Sequence, residues 1–132
     1  MHDEGREAAL ATRVSSMVRA YVRGRTGARV GIAYDDIPTA PDPTTGRPRK
    51  QYPERWRDAQ PKVAQEAFLA MRARRSRQAF AEYFTGTICS VPQYLPDSEL
   101  RTIATALLTD GDDGWEDVRS LAMLAISTMA RV

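Results

Sequence analysis

The chain has 132 residues, 42% of them hydrophobic and 27% charged, which is the length and balance of one globular core and argues against wholesale disorder. Its 19 basic and 17 acidic residues leave a net charge of only +2, which taken alone suggests no polyanionic partner. A single cysteine, Cys89, excludes an intramolecular disulfide, and with the single His2 it leaves too few ligands for a structural zinc site, so no metal or cofactor is expected.

The opening residues Met1 to Arg6 are followed by no long apolar run, so neither a signal peptide nor a membrane span is expected and a cytoplasmic location is the default. From Ala8 to Arg23, Leu10, Val14, Met17, Val18 and Tyr21 recur at spacings of three and four, the mark of a helix with one apolar face. Gly24 and Gly27 are expected to end it. Residues 27–53 hold Pro38, Pro41, Pro43, Pro48 and Pro53 with Gly31 and Gly46, and read as a long connector that need not be ordered. A second helix is expected from Pro61, a favoured first-turn residue, to Arg74, with Val63, Ala64, Ala67, Phe68 and Met71 buried. Trp56 belongs to a short helical turn before it.

Ser76 can cap a third helix carrying Phe80, Tyr83 and Phe84, which Gly86 should stop. Asp97 can cap a fourth, with Leu100, Ile103, Ala104, Leu107 and Leu108 as its core face, closed by Asp110 and Gly111. The last helix opens at Asp113 and is apolar around much of its circumference, from Trp115 to Met129, as befits a central element. With no sustained alternation of period two, the fold class is all-α: a single helical bundle of about five helices over residues 1–132, with a long Pro-rich connector after the first.

Catalytic chemistry finds few residues. The only imidazole sits at the terminus, so no Ser-His-Asp or Cys-His arrangement is available inside a pocket. The acidic run Asp110, Asp112, Asp113, Glu116 and Asp117 resembles a calcium loop, but Gly114 and Leu121 occupy positions where such a loop needs oxygen ligands. Favourable charge at a helix N-terminus explains it more simply. Adjacent Asp35 and Asp36 read as turn residues, and Cys89, between Ile88 and Val91, as a small buried side chain. The expectation is a protein that is not an enzyme.

The charge is polarised along the chain. Residues 1–88 carry 16 basic and 10 acidic groups, or +6, whereas residues 89–132 carry 3 and 7, or −4. Arginine supplies 17 of the 19 basic residues, and its planar fork pairs with phosphate oxygens two at a time. Arg72 and Arg75 lie on one side of the second helix, Arg74 and Arg77 flank its end, and Arg19 and Arg23 are four apart on the first. Either these ends converge on a surface that follows a phosphate backbone without reading bases, or they are a solvated face.

The segments AFLAMRARR, Ala67 to Arg75, and YFTGTICSVPQYL, Tyr83 to Leu95, resemble the C-terminal helical region of the large subunit of a type I CRISPR surveillance complex (Cascade) of the I-B or myxobacterial kind. The resemblance is strongest over residues 61–96. The large subunit's N-terminal part, which reads the protospacer-adjacent motif, has no counterpart here, so that role does not transfer. A free-standing helical bundle of this kind resembles instead the small subunit of Cascade, in several systems made by internal translation initiation, with Met1 as that start. The resemblance implies a non-catalytic subunit that packs on backbone and large subunits and on further copies of itself, near guide RNA and target DNA, and helps hold the R-loop. Arg19, Arg23, Arg72, Arg74, Arg75 and Arg77 are the candidate nucleic-acid contacts. A helical protein-interaction module and a stand-alone DNA-binding regulator are the alternatives.

Overall fold

Gly24 and Gly27 do not end the first helix. In the computed structural model, which describes residues 4–89, 102 and 114–130, α1 runs from Glu4 to Val30. Each glycine weakens a helix by about 1 kcal/mol, but the buried stripe of Val14, Met17, Val18, Tyr21 and Val22 continues through Thr26 to Val30, and that packing decides the matter. Thr26, a buried hydroxyl, is satisfied by donating to the Val22 carbonyl at 2.7 Å. The stop comes at Gly31, whose φ of +74° is open to glycine at little cost. There the N–H groups of Gly31 and Ile32 both donate to the Gly27 carbonyl, at 2.8 and 3.1 Å.

The Pro-rich connector is where the all-α expectation has to be corrected. A 3₁₀ turn at Tyr34–Asp36 leads into β1, Thr39–Pro41, which pairs antiparallel with β2, Pro48–Lys50, so that Thr39 faces Lys50 and Ala40 faces Arg49. Pro41 and Pro48, which lack an N–H, occupy the end of this short ladder, where the missing donor matters least. Asp42 shapes the tip: its carboxylate accepts from the Thr44 N–H at 2.8 Å and its carbonyl from the Gly46 N–H at 2.7 Å. An isolated hairpin is marginal in water. This one is tied at its base, where Lys50 Nζ donates to the carbonyls of Tyr34 and Ile37 at 2.8 and 3.2 Å.

The second helix, α2, begins at Glu54 and continues to Ala73, so Pro61 lies inside it and the short turn expected at Trp56 is its first part. Burial of Trp56 and Ala59 holds the chain helical across a proline that removes one backbone bond. α3, Arg77–Tyr83, starts where expected, with the Ser76 hydroxyl accepting from the Ala79 N–H at 3.1 Å. Gly86 does not stop the chain: a π-helical turn, Phe84–Ile88, carries on through it, closed by the Cys89 N–H on the Phe84 carbonyl at 3.0 Å. Phe80, Phe84 and Ile88 are all fully buried, which explains the continuation. Of the expected fourth helix only Thr102 is among the described residues, and it is helical. The last helix, here α4, spans Gly114–Ala130.

Two apolar clusters result. The larger joins α1, α2, α3, the π turn and α4, with Val118, Ala122, Ala125 and Ile126 of α4 facing α1 and α2 together. The smaller gathers Val30, Ile37, Trp56 and Ala59, with Ile32, Tyr34 and Tyr52 against them. α2 folds back on the end of α1 because Arg55 Nη2 donates to the Val30 carbonyl at 3.0 Å and Trp56 Nε1 to that of Ile32 at 2.9 Å. The last helix is less enclosed than its composition suggests, since Leu124 is 64% exposed. Among the described residues no helix is long and apolar enough to cross a membrane.

Candidate nucleic-acid interface

The six candidate arginines divide into two groups. Arg72 lies exposed in the last turn of α2, Arg74 and Arg75 form the link that follows, and Arg77 opens α3, half-buried and engaged by other groups. Arg19 is exposed on α1. Arg23 is drawn elsewhere: its guanidinium carbon sits 4.4 Å from the ring centroid of Tyr34, in the aromatic group formed with Tyr52 and Trp56 at the start of α2. From Trp56 to Arg72 is sixteen residues of helix, or about 24 Å. Arg23 and the arginines at the α2–α3 link are therefore separated by most of the length of α2.

Arg74 is partly committed to the fold. Its Nη1 donates to the Ala70 carbonyl at 2.6 Å and its guanidinium lies over Tyr83, 4.1 Å from the ring centroid, a cation–π pair of the kind common for arginine. Burial, with the neighbouring Tyr21 hydroxyl, pushes the Tyr83 phenol up to about 12, although the charges of Arg74 and Arg25 pull the other way.

Two residues that the sequence reading passed over, Arg25 and Arg29, stand one turn apart on α1, both exposed. Arg29 Nη2 pairs with Glu66 Oε1 of α2 at 2.6 Å. That bond, more than simple charge attraction, holds the Glu66 carboxyl below the usual carboxylate range and raises the Arg29 guanidinium above its own. Arg25 makes no ion pair among the described residues, but its charge reaches both Glu66 and Tyr83. Arg25, Ala28, Arg29 and Val63 line an open cleft of about 270 Å³ between α1 and α2. The i, i+4 spacing of Arg25 and Arg29 was available in the sequence, whereas the partner helix that makes a cleft of them was not.

A second positively charged feature is the hairpin, where Arg47 and Arg49 are exposed and Arg49 reaches Asp42 only loosely, at 3.5 Å. Lys50 is not part of it, being held against the Tyr34 ring at 4.3 Å. Of the acidic run, Glu116 and Asp117 lie in the first turn of α4, where negative charge complements the helix dipole, and Asp110, Asp112 and Asp113 lie outside the described residues. Among the described residues no group of three or more His, Cys, Asp or Glu is placed to hold a metal ion. Cys89 is fully buried, as a small core side chain would be.

In comparison with known proteins, the family model described as the Type I-B CRISPR Cas8b C-terminal domain matches residues 1–129. No curated protein and no solved structure gives a significant match.

Proposed function

Because the chain belongs to the family of the Type I-B CRISPR Cas8b C-terminal domain, and is thereby a component of a type I-B Cascade, we propose that it is the non-catalytic small subunit of that complex. In this reading it packs on the backbone and large subunits and on further copies of itself, and its basic residues follow the phosphates of the target or displaced DNA strand beside the guide RNA, stabilising the R-loop. The observation that carries the reading is the family match over nearly the whole chain. The exposed arginines of α1 and of the α2–α3 link support the contact with nucleic acid, since exposed guanidinium groups pair with backbone phosphates whatever the bases.

Two measurements test it. Expressed with the other subunits and a guide RNA, the chain is expected to co-purify as part of one ribonucleoprotein, and its absence from that complex refutes the assignment. Alone, it is expected to bind single-stranded DNA at low salt with an affinity that falls linearly on a log–log salt plot, by about 0.7 per phosphate neutralised. Binding that ignores salt would point to the alternative of a protein-interaction module, and strong preference for one duplex sequence to a stand-alone regulator.

A further inference from the structure

The cleft between α1 and α2 has a construction that a merely solvated face does not need. Two arginines one turn apart on a helix repel each other, and Arg25 and Arg29 are spaced in that way. Glu66 relieves only half of the charge, because it bonds Arg29 and leaves Arg25 facing the cleft without a bonded anion among the described residues. The other two lining residues, Ala28 and Val63, are apolar, and the cleft's volume of about 270 Å³ has room for a phosphodiester together with its sugar. An exposed carboxylate on an exposed arginine is a weak pair, readily exchanged for another anion.

We propose that this cleft receives one backbone phosphate of a single-stranded nucleic acid between Arg25 and Arg29, and that Glu66 is the internal anion which the phosphate displaces. Phosphate is the better ligand for the pair, because its non-bridging oxygens can accept from both guanidinium groups at once, whereas the Glu66 carboxylate engages one. Glu66 thus lowers the affinity of the empty surface for adventitious anions and sets a threshold that a strand held elsewhere on the protein overcomes. This inference rests on the nucleic-acid contact proposed above and places one phosphate within it.

The test uses the 132-residue chain, a labelled oligothymidylate and fluorescence polarisation at several salt concentrations. Glu66→Gln is expected to tighten binding roughly two- to fivefold. Glu54→Gln, the same change of net charge at the start of α2 and away from the cleft, is expected to do less. Arg25→Gln with Arg29→Gln is expected to weaken binding and to reduce the salt slope by about 0.7, one phosphate's worth. Thermal melts of each variant check that the fold is intact, and a Tm equal to that of the unaltered chain is expected for these exposed positions. If Glu66→Gln binds no more tightly than Glu54→Gln, or the double arginine variant keeps the full salt slope while Arg72→Gln with Arg75→Gln loses part of it, the cleft is not a phosphate site although the chain still binds nucleic acid. If the unaltered chain binds no oligothymidylate even at the lowest salt, the nucleic-acid contact itself fails and this site fails with it.

Discussion

Gly27 shows how a residue can mislead and then explain itself. Its composition-level message, a helix stop, is overridden, yet a side chain there is still excluded: a Cβ would lie 2.9 Å from the Ile32 carbonyl oxygen as the chain turns back over the helix end. Helix propensity favours alanine at this position by about 1 kcal/mol, but the obstacle is backbone and cannot swing aside. Gly27→Ala is therefore expected to lower stability by about 1–3 kcal/mol, seen as a drop in Tm. Tyr83 offers a second residue-scale test. Its phenol ionises near 12 in the fold against 10.0 ordinarily, so the folded protein holds that proton longer than the unfolded chain does. The stabilisation is complete below pH 10 and is lost as pH rises towards 12. Denaturant melts between these limits should show a decline that Tyr83→Phe flattens, and the ultraviolet tyrosinate titration of that variant should lack its latest step.

Among the elements, those governed by local spacing were the most legible. The stripe from Val63 to Met71 and the Ser76 cap appear where periodicity and capping chemistry place them, except that Phe68 is only partly buried. What escaped were the places where tertiary burial outweighs a local breaker: Trp56 pulling α2 past Pro61, and Phe84 and Ile88 pulling the chain past Gly86. The hairpin escaped for a different reason, since three-residue strands interrupted by prolines carry almost no alternation to detect. The stacked pair Phe80 and Phe84, with ring centroids 5.8 Å apart, joins α3 to the π turn, and Phe80 also meets Trp115 of α4 at 6.2 Å. Phe80→Ala removes both contacts at a fully buried position and is expected to cost about 3–5 kcal/mol in denaturant unfolding.

For the whole molecule, the sequence conveyed a polarised charge but not its arrangement. Arg23 and Arg74 look equivalent in the sequence, yet each is spent partly on an aromatic ring, and the cleft arginines Arg25 and Arg29 emerge only once α2 lies alongside α1. The two apolar clusters have unequal shares of the chain, and the smaller depends on one residue, Trp56, which contributes its ring and a hydrogen bond to the Ile32 carbonyl. Trp56→Ala should therefore loosen residues 31–53 while the larger cluster persists. The expected result is rapid proteolysis confined to that segment with most of the far-ultraviolet helical signal retained; loss of the entire signal would show that the two clusters fold as one unit.

Pro61 gains a meaning from this division. Residues of α2 before it, Trp56 and Ala59, pack in the smaller cluster, and those after it, from Val63 onward, in the larger. A proline has no amide hydrogen to give, so the one rung that the ladder of α2 must lack falls at the seam between two separately packed bodies. Motion of the end that carries the hairpin can then be taken up at a rung already missing, without breaking another, and amide exchange along α2 is expected to change abruptly there, fast before the proline and slow beyond it.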